Sequence, residues 1–144
     1  MYKTILVPID IAEEALTEMV IPHVERLAIM NDANVHFISV VPVLPAYVYM
    51  KHPFDERIPT NDEILSDAKK RLVQIIDKFN LPEDRKITHT TTGSPKEKIL
   101  QMADEIKADL TIIGSSRPSM STYLLGSTAA AIVRHARNSV LVVR

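Results

Sequence analysis

Three short stretches carry residues whose types and spacing suit the binding of an anion. Gly114 closes the apolar run Leu110-Thr111-Ile112-Ile113, and Gly126-Ser127-Thr128 opens the amphipathic run that follows. A buried strand leading through glycine into a helix N-terminus presents unpaired backbone N–H groups and the positive end of the helix dipole together. Phosphate above all is what such a site holds. Arg117 lies between the two glycines; its guanidinium fork suits bidentate contact with phosphate, and its plainer reading is a solvated loop charge. Asp10 follows the apolar run Ile5-Leu6-Val7-Pro8-Ile9. There it serves equally well as a helix N-cap or as a ligand contact beyond a strand end. The glycine pattern G-x-x-x-x-G-K-[ST] is absent, as is G-x-G-x-x-G, so neither common phosphate loop is present.

These residues need strands and helices to position them, and the chain supplies an alternation of the two. Residues 4–10 read as a strand buried on both faces, with Pro8 either interrupting its ladder or sitting at its C-terminal end. Leu16, Met19, Val20, Val24 and Leu27 recur at helical spacing, with Pro22 predicted to kink or split that helix. Residues 34–41 form a second strand. The proline-rich stretch 42–59, which holds Tyr47, Tyr49 and Phe54, reads as a long loop: a lid, a partner surface or a mobile segment. Thr60-x-x-Glu63 is a capping box that opens an amphipathic helix bearing Ile64, Leu65, Ala68, Leu72, Ile75, Ile76 and Phe79. Residues 86–91 hold one apolar side chain in six, which suits a sheet edge. Ser94-Pro95-Lys96-Glu97 reads as a second capping box with proline at the first helical position. The strand at 110–113, a helix over Thr128 to Arg137 with cations near its C-terminus, and the strand 140–143 close the chain.

Strands alternating with helices demand a parallel sheet with helices on both faces. The expected fold is therefore α/β: a single open five-stranded parallel sheet of order 3-2-1-4-5, formed by residues 1–144 as one domain. Its switch point falls between the strands that end at Asp10 and Gly114, and ligands bind at such points.

Composition narrows the function. A formal net charge of −1 and the absence of tryptophan argue against a nucleic-acid partner. With no cysteine, neither disulfides nor thiolate metal sites are possible. No apolar run reaches membrane-spanning length and no signal peptide is evident, so a cytoplasmic protein without a membrane partner is expected. A flavin phosphate loop directly after the first strand is disfavoured, because Glu13 and Glu14 stand there and would repel phosphate.

Several motifs, in order along the whole chain, resemble the universal stress protein family. They are Ile5-Leu6-Val7-Pro8-Ile9-Asp10, Gly93-Ser94-Pro95, Ile112-Ile113-Gly114-Ser115, Leu124-Leu125-Gly126-Ser127 and Ser139-Val140-Leu141-Val142-Val143. The likeness is greatest to small single-domain enterobacterial members with a Gly-Ser-x-Arg-Pro loop. That resemblance implies a stress-response module that binds ATP, or ADP or AMP, with or without Mg2+. It implies that Asp10 meets the ribose or adenine, that backbone at Pro8 and Val40 holds the adenine edge, and that Gly114, Gly126, Ser127 and Thr128 line the phosphates. The family signature is G-x-x-G-x9-G-[ST]. Arg117 replaces its middle glycine here, and eight residues separate Arg117 from Gly126. No P-loop lysine or paired acids are placed for hydrolysis, so any ATPase activity should be slow. A nucleotide-free interaction module is the alternative. The unblunted apolar edge at Val140-Leu141-Val142-Val143 predicts a homodimer, or a higher homo-oligomer, built through the C-terminal strand.

Overall fold

The computed structural model describes residues 1–115 and 125–144. Its elements follow the order β1 (Thr4–Pro8), α1 (Glu14–Asn31), β2 (Asn34–Val41), α2 (Ala46–Lys51), α3 (Asn61–Ile76), β3 (Lys86–Thr92), α4 (Pro95–Glu105), β4 (Leu110–Gly114), α5 (Ser127–His135) and β5 (Ser139–Val143). The five strands form one parallel sheet in the order β3-β2-β1-β4-β5.

Alternation along β1 shows how the sheet is covered on both sides. Ile5 and Val7 point into a core shared with Val20 and Val24 of α1 and Leu72, Ile75 and Ile76 of α3. Leu6, between them, joins Ile38, Ile113, Ile99 and Ala103 of α4, and Ala129 and Ile132 of α5 on the other face. Both layers exclude water, which accounts for the unbroken apolar run in β1. Phe37 and Phe79 pack at 4.8 Å between centroids with their planes tilted by 57°, a favoured aromatic geometry.

Pro8 shapes the sheet's centre. The Ile9 N–H donates to Ile38 O, while Thr4 O accepts from the Asp109 N–H; odd residues of β1 therefore face β2, and even ones face β4. The N–H that Pro8 lacks is thus missing on the β4 side. Accordingly, β1 pairs with β4 only at Ile5↔Leu110 and Leu6↔Thr111. The β1–β2 ladder continues to Pro8↔Ile38, and β4–β5 to Gly114↔Val143. Beyond Leu6 the two central strands part.

Several local expectations need correction. Helix α1 runs unbroken through Pro22. Both Pro22 and Glu18, whose carbonyl loses its helical partner, are exposed, so water can take the vacated bond. Asp10 is not the cap of α1; that position is Glu13, without a side-chain cap bond. The Thr60/Glu63 capping box forms with both bonds, whereas Ser94 makes no cap bond and the second box is absent. Pro95 does occupy the first turn of α4, as expected. Helix α5 begins one residue early, at Ser127, and ends at His135, so Arg137 lies beyond it and the last-turn cations are Arg134 and His135. Within 42–59 the six-residue α2 forms with no buried residue.

Candidate functional site

The parted ends of β1 and β4 open a cavity of about 970 Å3, within the range of small-molecule sites. Pro8 and Asp10 enter it from β1 and its exit, and Val40 from β2. Gly114 closes the β4 side, and Gly126, Ser127 and Thr128 bring in the start of α5. Seven of the residues singled out in the sequence thus meet around one space. Arg117 lies outside the described residues.

The turn after β1 is tightly tied. Asp10 Oδ1 accepts from the Ala12 N–H at 3.0 Å, and the Glu13 N–H donates to Asp10 O at 3.1 Å. An Asx-type turn of this kind holds the carboxylate at the cavity's edge. From across the cavity, Arg71 Nη2 of α3 donates to Ile11 O at 2.8 Å.

At the opposite end, the N–H of Gly126 donates to Ser115 O at 2.6 Å, and Ser115 N–H donates to Val143 O at 2.8 Å. The first turn of α5 is thereby fastened to the end of β4. Gly126 is the helix N-cap, with φ −58 and ψ 154 and no side-chain cap bond. The N–H groups of Ser127 and Thr128 lack intrahelical partners by position, and they sit beside the hydroxyls of the same residues on the cavity wall. Positive dipole, free donors and hydroxyls together favour an anion at this end.

Gly114 has a second reason for being glycine. A Cβ there would stand 3.1 Å from Leu16 Cδ2 and 3.6 Å from Leu16 O. The bare backbone lets α1 lie close against β4. Gly93, at φ +126, turns the chain from β3 towards α4 and also lines the cavity; a left-handed conformation of that kind suits glycine alone.

Sequence reasoning missed the α3 wall. Ile64, Asp67, Ala68 and Arg71 line the cavity at the i, i+3, i+4, i+7 spacing of one helix face. Ile64 and Ala68 were legible as apolar positions, but nothing in the sequence tells which part of a helix overhangs a cavity. Asp67 and Arg71 are exposed at the rim and give it one charge of each sign. Among the described residues, no group of three His, Asp or Glu side chains could hold a metal, and no helix is long and apolar enough to cross a membrane.

Comparison with known proteins agrees with this architecture. The model of the universal stress protein family matches residues 1–144. Universal stress protein G of Salmonella typhimurium is 37% identical over 144 residues, covering all of both chains. A universal stress protein from Archaeoglobus fulgidus, solved in complex with dAMP, superposes with a TM-score of 0.67 at 21% identity, covering 99% of this chain and 98% of that one. A universal stress protein in complex with cAMP gives a TM-score of 0.61 at 23% identity, covering 99% and 97%.

Proposed function

This chain belongs to the universal stress protein family, and on that premise we propose that it is a stress-response module whose switch-point cavity binds an adenine nucleotide, with ATP as the ligand. The observation that carries the proposal is the convergence of Pro8, Asp10, Val40, Gly114, Gly126, Ser127 and Thr128 on one cavity with a helix N-terminus at one end. Two solved relatives of this fold hold dAMP and cAMP, which supports an adenine ligand.

The donor set fits such a ligand. Asp10 accepts hydrogen bonds and suits ribose hydroxyls or the adenine amino group. The backbone at Pro8 and Val40 faces the base, and the amides and hydroxyls of Ser127 and Thr128 face the phosphates. Three or four charge-assisted contacts of about 1.5–3 kcal/mol each, partly offset by desolvation, are compatible with micromolar affinity, roughly −8 kcal/mol. Mg2+ would arrive on the phosphates and keep most of its waters, as is usual for nucleotide-bound magnesium. Among the described residues of the donor set, none is placed to activate a water for attack, so any turnover of ATP should be slow.

Arg117, standing at the family's middle glycine, is the feature that favours a second reading, a nucleotide-free interaction module. If Arg117 instead contacts phosphate, Arg117→Ala should weaken ATP more than adenosine. We further propose that residues 1–144 act as one cytoplasmic domain that pairs with a second copy through β5. Titration calorimetry with ATP, ADP, AMP and GTP tests the ligand: micromolar heats for the adenine nucleotides and at least tenfold weaker GTP support the proposal. No saturable heat with any of the four favours the nucleotide-free reading.

A further inference from the structure

A histidine pair outside the cavity makes an unusual contact. His36 of β2 and His89 of β3 bring Nδ1 and Nε2 to 2.9 Å, with ring planes 6° apart and centroids 5.2 Å apart. Two ring radii added to the nitrogen contact reproduce the centroid separation. Both nitrogens therefore lie on the line between the centroids, and that line lies in both ring planes. The imidazoles are end to end in a nearly common plane, joined by an N–H···N hydrogen bond in which one ring donates and the other accepts. Half of 2.9 Å is well short of the roughly 2.0 Å of a Zn–N bond, so no metal bridges the rings in this arrangement.

Proton counting gives the pair three states. With both rings neutral, one bridging nitrogen bears hydrogen and the other a lone pair. A first added proton goes to an outward nitrogen, His36 Nε2 or His89 Nδ1, and the bridge survives as a charge-assisted bond. A second added proton leaves both bridging nitrogens bearing hydrogen and puts a full charge on each ring. The contact must then break.

The surroundings direct that chemistry. Both rings are half-buried. Burial, and then the charge of His89, hold His36 below its ordinary 6.5. Burial also lowers His89, against a smaller opposing pull from Glu105 of α4. Leu6 of β1 is the register neighbour of His36 and contributes no charge. The cations nearest in sequence are engaged elsewhere: Arg85 with Asp32 at 2.9 Å and Lys86 with Glu83 at 3.0 Å. Glu105 is thus the acid that favours the first proton.

We propose that His36 and His89 form a proton-operated latch that fastens edge strand β3 to β2, closed until the second proton enters and then open. Strand β3 has β2 as its one partner in the sheet and runs into Gly93 and Pro95, which line the cavity. Opening the latch would loosen that wall and expose the edge of β2. Because the folded pair binds protons less readily than the unfolded chain, its contribution is complete at neutral pH and declines as the pH falls below 6.5.

The test combines imidazole NMR with amide hydrogen exchange on the full chain between pH 7.5 and 4.5. The latch requires two separate proton uptakes. The first should leave exchange protection in Ile87–Thr91 unchanged, and the second should lower it at least tenfold relative to Ile112 and Ile113. His89→Gln can donate its amide N–H to neutral His36 Nδ1 and, turned over, accept through its Oε1 from the protonated ring, so its β3 protection should not depend on pH. Both rings titrating together near pH 6.5, with β3 protection unchanged, would overturn the proposal. So would a His89→Gln protein with the wild-type pH response. Should that variant not fold, the wild-type titration decides by itself.

Discussion

The N–H of Gly126 donates to Ser115 O at 2.6 Å, and this bond joins the end of β4 to the start of α5. It sets the helix N-terminus over the opening left where β1 and β4 part. Gly126 has φ −58, a conformation that any L-residue adopts, so a side chain here costs little backbone strain. Gly126→Val should therefore fold, with a loss of about 1 kcal/mol from a poorer N-cap. The isopropyl group would stand where a close-approaching phosphate must pass. ATP affinity measured by calorimetry should fall at least tenfold. Unchanged affinity would move the phosphates away from α5.

Gly114 should behave in the opposite way. Its missing Cβ accommodates Leu16 at 3.1 Å, and overpacking of this kind costs about 1–3 kcal/mol. Gly114→Ala should lower the midpoint of thermal unfolding by several degrees. Nucleotide affinity, measured well below that midpoint, should change less than for Gly126→Val. A Gly114→Ala protein of wild-type stability would show that α1 yields freely at this contact.

Arg71 reaches from α3 to Ile11 O at 2.8 Å and so steadies the turn that holds Asp10. The side chain is exposed, and Arg71→Ala should alter global stability by under about 1 kcal/mol. The Ala12 amide, bonded to Asp10 Oδ1, should exchange faster in the free variant, and adenosine affinity should fall severalfold. Arg71→Lys, which keeps a donor on a long stem, should recover part of both. Wild-type Ala12 exchange in Arg71→Ala would remove Arg71 from the site's support.

Much of this was legible in the chain because single residues carry strong backbone rules. Pro8 lacks one N–H, and the β1–β4 ladder stops on the side where it is missing. Thr60 and Glu63 form their box because exposed polar groups at a helix start have nothing better to bond. Ser94 and Glu97 have the same spacing and do not, which shows that a spacing permits a cap without enforcing it. Helix α2 was hidden: a six-residue helix with no buried side chain leaves no periodic trace. The Arg71–Ile11 bond and the His36–His89 bridge were hidden for another reason. Both depend on how elements far apart in sequence are offset against one another. In register, His89 stands opposite Ile38, two residues from His36, and no local pattern specifies that diagonal.

The two sheet edges differ sharply in chemistry. Strand β3 is rich in threonine, whereas β5 presents Val140, Leu141 and Val142 half-buried with one strand neighbour. Such an edge invites strand pairing unless it is covered, and a two-fold contact with another copy would cover it. Leu141→Lys should yield a monomer in sedimentation, or insoluble protein if the edge also supports folding. A soluble Leu141→Lys protein with the wild-type native mass would place the interface elsewhere.

The most direct test of the central claim is an amide chemical-shift titration of the 15N-labelled protein with ATP. Binding in the switch-point cavity should move the resonances of Val40, Ala12, Gly126, Ser127 and Thr128 most, saturating at micromolar to submillimolar ATP, while β3 and the N-terminal ends of the strands stay still. A titration that leaves those five amides unmoved, or that shifts residues away from the cavity instead, would contradict it.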